Sequence, residues 1–260
     1  NKVKHGGAAL MLVPAITSRL DLQEYPSIAL LVANFPRASG NKPALLSYRQ
    51  VTTFFHEFGH ALHILLGRTD FALFSGYSVK TDFLEMPSQM LENWLEDSNI
   101  LIQISGHYKT GESLPEEIIS KLANLNRLNL GCDTLRQVTF ALLSLDIFAN
   151  EPNKNIHNIK LSIDNLATPY LLDDLDDRYE LNFTHLTTYG AKYYSYLWAD
   201  VFAKDMFAYI KQHGLLNSKI GQKYVNKILS QGGQKDPNDL LVDFLGRQPN
   251  NEAFKTDFYN

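Results

Sequence analysis

The feature that most constrains this chain is an apolar run that contains His56, Glu57 and His60 in the pattern His-Glu-x-x-His. In a helix, two histidines four residues apart lie on one face, with their Cβ atoms about 5–6 Å apart. That spacing lets two imidazole nitrogens bind one Zn²⁺ ion while other coordination positions stay open. Because the run is apolar, the helix is expected to be buried, and a buried His or Glu needs a polar or metal partner.

The residues around the motif predict where its helix begins and ends. Ser47 and Gln50 have the spacing of a capping box, in which each residue satisfies a backbone amide of the other. Residues 51–66 contain no proline, and Gly67 is typical of a residue that follows a helix. His63 lies one turn beyond the motif, where a third ligand from the same helix would crowd the site, so we expect it to pack or to support a ligand.

Composition excludes several classes of function. The chain has 260 residues, of which 45% are hydrophobic and 20% are charged, and its formal net charge is −4. This is enough for one large folded domain or two small ones. No run of Lys or Arg indicates a nucleic-acid or lipid surface, and no apolar stretch is long enough to span a membrane. We therefore expect neither a nucleic acid nor a membrane as a partner.

The single cysteine and the first residues bear on where the protein acts. Cys132 alone cannot form an internal disulfide and fits a reducing compartment, so we expect a cytoplasmic protein in which this residue is a small buried hydrophobe. The chain has no initiator Met and no signal peptide, and residues 1–7 have the composition of a loop. We expect a fragment or a processed chain.

The pattern of apolar residues and breaks predicts a mostly α (α+β) domain. Short apolar runs separated by prolines within residues 8–35 predict two or three strands of a small sheet near the N-terminus. Residues 71–80 are predicted as a short strand or a loop. Helices are predicted at about 82–105, 115–129, 132–149, 155–167, 190–213, 217–230 and 237–247. The acidic run at 173–177 lacks the ligand spacing of an EF-hand and is predicted to be a solvated loop.

A catalytic zinc site usually has a third protein ligand, and two glutamates are candidates. Glu85 and Glu92 lie two turns apart on one face of the helix predicted after residue 82. Either carboxylate can face the motif helix. Glu92 is alternatively a surface acid or an acceptor that holds a ligand histidine from behind. Spacing alone favours neither residue.

The motif and the segment around Glu85 together resemble the thimet oligopeptidase family of zinc metallopeptidases, which includes oligopeptidase A. The shared residues are His56-Glu57-Phe58-Gly59-His60 and, 25 residues further on, Glu85 within Asp-Phe-Leu-Glu-Met-Pro-Ser-Gln-Met-Leu-Glu-Asn-Trp. The resemblance implies a zincin-type catalytic domain with one Zn²⁺ per chain. It assigns the ligands to His56, His60 and Glu85 and the general base to Glu57, which leaves Glu92 outside the ligand set.

A third block, residues 185–198, resembles the His and Tyr segment that closes over the zinc in this family. The resemblance assigns donors to the transition state at His185, Tyr189 and Tyr196, and a substrate contact at Tyr193. Besides its role as a donor, Tyr189 is expected to bind substrate together with Tyr193. The three tyrosines also have the spacing of a core stripe on a helix. The segment is one residue shorter than in many relatives and has Leu-Thr-Thr in place of a Gly pair, a form closer to mitochondrial intermediate peptidase.

The function implied by the resemblance is zinc-dependent hydrolysis of peptide bonds in oligopeptides. The chain, residues 1–260, corresponds to the catalytic part of the family fold, with a small sheet region at 1–50, metal-binding helices at 51–105 and a helical region at 106–260. On this resemblance we expect the chain to lack the N-terminal half of the fold, which is then a candidate partner. The alternatives are an endopeptidase that acts on proteins, a mitochondrial-type processing peptidase, and a catalytically incomplete zinc-bound fragment that binds peptides or forms half of an assembly.

Overall fold

The computed structural model of the chain describes residues 8–14, 16–17, 24–149, 154–167 and 178–259. Within these residues the chain is mostly helical with small sheets near the N-terminus, which confirms the predicted fold class. The acidic run predicted as a solvated loop lies outside the described residues.

The strands form two separate antiparallel pairs rather than one sheet. β1 (Ala8–Val13) pairs with β4 (Ile28–Val32), and β2 (Ile16–Thr17) pairs with β3 (Glu24–Tyr25). In the larger pair Leu10 lies opposite Leu30. Both strands of this pair pack against the motif helix.

The motif helix α1 (Tyr48–Leu66) begins at the predicted capping box. The Ser47 side chain accepts a hydrogen bond from the Gln50 amide, and Oε1 of Gln50 accepts one from the Ser47 amide at 2.9 Å. The helix ends where predicted, and the Gly67 amide donates to the His63 carbonyl.

Ten more α-helices follow in the described part of the chain. They are α2 (Thr81–Leu84), α3 (Met86–Glu92), α4 (Ser98–Ile104), α5 (Glu116–Phe148), α6 (Ile156–Ala167), α7 (His185–Thr188), α8 (Ser195–His213), α9 (Ser218–Lys227), α10 (Pro237–Leu245) and α11 (Glu252–Tyr259). Short 3₁₀ turns lie at Ala72–Phe74, Asn93–Glu96, Tyr179–Leu181, Gly190–Lys192 and Leu229–Gln234.

The single helix predicted at 82–105 is wrong, because this stretch is divided into α2, α3 and α4. Pro87 has no amide hydrogen and fits only the first turn of a helix, so α3 begins anew at Met86. Asp97 caps α4 by accepting hydrogen bonds from the amides of Asn99 and Ile100. The break after α2 places Glu85 at a junction between two helices rather than inside one.

Other helix boundaries also differ from the prediction. The two helices predicted at 115–129 and 132–149 are one helix, α5, which continues through Gly131 at a propensity cost of about 1 kcal/mol. Cys132, predicted to be buried, is exposed on this helix. α8 begins at Ser195 rather than at residue 190, because Gly190 has a left-handed φ of 57°. α11 was not predicted.

The main hydrophobic core lies where α2, α3, α8 and α10 meet. Its buried members are Phe83, Met86, Met90, Ala199, Ala203, Met206, Phe207, Ile210, Ile228, Leu229, Leu240, Leu241, Phe244 and Leu245. Since α3 packs on α1 at one side and on α8 at the other, this core fixes the helix that follows Glu85 against the motif helix.

Candidate metal site

Three side chains from α1 and the α2–α3 junction meet at one point. The Nε2 atoms of His56 and His60 lie 3.2 and 3.1 Å from Oε2 of Glu85. One ligand atom from each of the three residues lies within 4.8 Å of the others, and this is the one such group of His, Cys, Asp or Glu that the described residues contain. The structure thus brings together the three residues to which the resemblance assigns the metal.

Glu85 is held at the junction by its own helix. Its side chain is buried, although it ends in a carboxylate. Ser88, one turn into α3, places its hydroxyl 2.9 Å from the Glu85 carbonyl oxygen and 3.1 Å from Oε2. Despite burial, the neighbouring histidines hold the pKa of Glu85 well below its usual range, so that it is an anion at neutral pH.

The close approach of α1 to α3 requires a glycine inside the motif. A Cβ atom at Gly59 would lie 2.6 Å from Cα of Ser88 and 2.8 Å from the carbonyl oxygen of Pro87. Both neighbours are backbone atoms and cannot rotate away. The sequence pattern does not predict the roles of Gly59 and Ser88. The one signal it contains is a glycine in a helix interior, where glycine normally costs stability.

Glu92 lies behind the site, on the far side of the His56 ring. Its Oε1 atom is 2.6 Å from Nδ1 of His56. Because an ionised carboxylate only accepts hydrogen bonds, Nδ1 donates to Glu92, and Nε2 is the ring nitrogen left to face Glu85 and a metal. Of the alternatives left open by spacing, this geometry favours an acceptor that orients a ligand histidine.

Replacing Glu92 by Ala is expected to weaken metal binding by about 10–100-fold, since the tautomer and orientation of His56 would no longer be fixed. Glu92→Gln keeps an acceptor for Nδ1 and should retain most of the affinity. Metal affinity is measured by competition with a chelator of known affinity. Equal affinities of wild type and Glu92→Ala would contradict the orienting role.

Glu57, the predicted general base, is buried between α1 and the first strand. Burial raises the pKa of its carboxyl group above the usual value, an effect that nearby His56 and His60 partly offset. The backbone of Ala9 on β1 hydrogen-bonds to this carboxylate. A carboxylate with a raised pKa is a better proton acceptor near neutral pH.

His63 is buried completely, and no described residue hydrogen-bonds to its ring. Burial lowers its pKa to about 3, so the ring is neutral. It packs inside the fold, which was one of its two predicted roles.

The His and Tyr segment reaches the site through Tyr189, at the end of α7. The Tyr189 hydroxyl donates a hydrogen bond to Oε1 of Glu85, the oxygen that does not face the histidines. The rings of His185 and Tyr196 contact the Tyr189 ring, at centroid distances of 5.7 and 5.2 Å. The structure therefore places all three predicted donors in one aromatic cluster next to the metal site.

Burial sets the protonation of these groups. It lowers the pKa of His185, which is therefore neutral at pH 7 and carries one N–H. It raises the pKa of Tyr189 and of Tyr196 well above the usual value, so that both remain protonated hydroxyls. Neutral donors of this kind can stabilise a negative oxygen without adding a fixed charge.

Tyr193 is the most deeply buried tyrosine of the segment. Its ring packs against Phe140, Phe183 and His185 at centroid distances of 5.5, 5.0 and 5.3 Å. This packing fits the core-stripe alternative, and its substrate contact stays a prediction.

The donor set fits a divalent metal. Nε2 of His56 and Nε2 of His60 converge on the same oxygen of Glu85, and a cation among these three atoms would take the place of the protons that otherwise join them. Two imidazoles and one carboxylate form a ligand set that Zn²⁺ binds in catalytic sites, where a further position stays open.

Fold and site together define a mostly helical, zincin-type domain with a His-Glu-x-x-His helix and a glutamate from the next helix pair. The sequence model of peptidase family M3 matches residues 1–259, and the chain belongs to this family.

Known proteins similar to this chain agree with that assignment. It is 39% identical over 241 residues to saccharolysin of Saccharomyces cerevisiae, covering 89% of this chain and 33% of that protein. It is 37% identical over 260 residues to oligopeptidase A of Escherichia coli, covering 96% of this chain and 38% of that protein. The chain thus spans about a third of the length of these curated relatives.

Among solved structures, PZ peptidase A with an inhibitor is similar, with a TM-score of 0.56 and 17% identity over 80% of this chain and 36% of that one. At this identity the likeness shows the fold alone. No helix in the described part of the chain is both long and apolar enough to cross a membrane.

Proposed function

We propose that this chain is the catalytic part of a zinc metallopeptidase that hydrolyses peptide bonds in oligopeptides. The observation that carries the proposal is the approach of Nε2 of His56 and of His60 to within 3.2 and 3.1 Å of Oε2 of Glu85. Membership of peptidase family M3 supports it. Zinc would be held by these three residues, one ion per chain.

The chemistry follows from the residues around that point. Zn²⁺ supplies a water of lowered pKa and polarises a carbonyl group. Glu57 accepts the proton of the attacking water and passes it to the nitrogen of the leaving amine. The raised pKa of Glu57 suits both transfers, because a stronger base takes the proton more readily and the protonated form is then accessible near neutral pH.

Negative charge on the former carbonyl oxygen requires hydrogen-bond donors. His185 and Tyr196 are proposed for this role, and Tyr189 and Tyr193 for contacts with the bound peptide. The aromatic contacts between His185 and Tyr196, with ring centroids 5.6 Å apart, support a shared donor surface. Removal of one such donor typically costs about 10²–10³-fold in kcat.

The N-terminal half of the family fold is the proposed partner of this chain, since the chain's relatives are about three times as long. An apolar surface of the β1–β4 sheet supports such a partner, because Leu10, Leu12, Ile28 and Leu30 are all exposed on it. We propose that the protein acts in the cytoplasm, because the one cysteine of the chain fits a reducing compartment.

The same exposed surface favours a second candidate, a zinc-bound fragment that is incomplete as a catalyst. In this case the chain binds zinc and peptides but needs the rest of the protein for hydrolysis. The two candidates differ in turnover and not in metal binding.

We expect the purified, zinc-loaded chain to cleave a short fluorogenic peptide and to leave casein intact. A chelator should abolish cleavage, and added Zn²⁺ should restore it. Bound zinc without turnover of the peptide would favour the incomplete fragment. Turnover that survives complete removal of metal would overturn the proposal.

A further inference from the structure

The Glu85 carboxylate is contacted by different groups at its two oxygens. Oε2 faces the two histidine nitrogens, whereas Oε1 accepts the hydrogen bond from the Tyr189 hydroxyl. Tyr189 is 104 residues away in sequence and belongs to the His and Tyr segment. The contact therefore joins this segment directly to a proposed metal ligand.

The neighbouring group on α3 contacts Oε2 of Glu85 and leaves Oε1 to another partner. Ser88 is the near neighbour on α3, but its hydroxyl has a single proton and lies close to both the Glu85 carbonyl oxygen and Oε2. Neither of these contacts involves Oε1. Among the described residues, the hydrogen bond recorded at Oε1 comes from Tyr189.

We propose that Tyr189 is a positioning residue that keeps Glu85 turned with Oε2 toward His56 and His60, so that the carboxylate binds metal through one oxygen. The inference rests on the proposed zinc site and goes beyond the substrate contact expected at Tyr189. An oxygen already engaged by a phenol hydroxyl is a poorer second ligand, and this leaves a coordination position open.

Tyr189 is itself held in place. The ring lies against those of Tyr196 and His185. Movement of the His and Tyr segment would therefore change the orientation of Glu85. Binding of metal by Glu85 would in turn favour the position that the segment has in this structure.

The substrate-contact role and the positioning role predict different measurements. A residue that touches only substrate changes KM or kcat and leaves metal affinity unaltered. A residue that orients a ligand changes metal affinity with no substrate present.

The test is Zn²⁺ affinity by competition with a chelator, for wild type, Tyr189→Phe and Tyr189→Leu, with folding checked by circular dichroism. We expect both variants to bind Zn²⁺ about tenfold or more weakly, within the 10–100-fold range typical of such partners. Tyr194→Phe, which removes the same atom from an exposed neighbouring tyrosine, should bind as wild type.

In a Glu85→Ala background, Tyr189→Phe should have no further effect on Zn²⁺ affinity, because the oxygen it acts through is gone. Wild-type affinity in either folded Tyr189 variant would overturn the inference and leave the peptidase proposal intact. A wild-type chain that binds no Zn²⁺ would overturn the proposed function itself.

Discussion

Glu57→Gln is expected to lower kcat/KM for a short peptide by about 10²–10⁴-fold, the usual contribution of a positioned general base. The amide of Gln has nearly the same shape as the carboxylate but cannot accept the proton of the attacking water. The three proposed ligands are unaltered, so Zn²⁺ affinity should stay within about twofold of the wild-type value. Steady-state kinetics and chelator competition measure the two quantities on the same preparations.

The matched control for this substitution is Glu117→Gln on α5. Glu117 is exposed and, among the described residues, pairs with Lys121 one turn away, a contact of little energy. The control should keep wild-type activity. Equal activities of wild type and Glu57→Gln would exclude Glu57 as the base, whatever the metal content.

The position of the motif helix was predictable because its signals are local. The capping box at Ser47 and Gln50 satisfies free amides of the first turn. The proline-free apolar run that follows favours a buried helix. The two histidines then share a face by helix geometry alone.

Boundaries that depend on tertiary contacts were not predictable in this way. Gly131 favours a break by propensity, yet α5 continues through it, since about 1 kcal/mol is small beside the packing of a 33-residue helix. Conversely, the divided stretch from α2 to α4 has the apolar pattern of one helix. Pro87, which has no amide hydrogen, lies in the first turn of α3, and Asp97 caps the start of α4.

The choice between Glu85 and Glu92 shows the same limit within the site. Glu85 and Glu92 lie on one face of the helix predicted after residue 82, and both contact His56 in the structure. Oε2 of Glu85 lies on the Nε2 side of the ring and Oε1 of Glu92 on the Nδ1 side. Sequence spacing cannot predict which nitrogen of the imidazole ring a carboxylate contacts, because that contact depends on how α1 and α3 are packed.

The packing of α1 against α3 depends on the absence of a side chain at Gly59, and Gly59→Ala is expected to disturb it. An alanine Cβ would need to lie within 2.6 Å of the Ser88 backbone, so α1 and α3 must separate. Overpacking of this kind costs about 1–3 kcal/mol of folding stability. Because Glu85 directly precedes α3, the same separation moves it away from the histidines. We expect a fall of about hundredfold in activity, the effect of a displacement near 1 Å, together with weaker Zn²⁺ binding.

Gly131→Ala on α5 provides the contrast, since it makes the same chemical change in a helix where nothing lies within 4 Å of the added Cβ. It should stabilise the protein by about 0.4–1 kcal/mol, because alanine loses less backbone freedom on folding. Denaturant unfolding measures the folding stability of both variants, and chelator competition measures their Zn²⁺ affinity. Together they distinguish an effect of helix propensity from an effect of the contact between α1 and α3. If Gly59→Ala kept wild-type stability and Zn²⁺ affinity, the contact of α1 with α3 would not be what brings Glu85 to the two histidines.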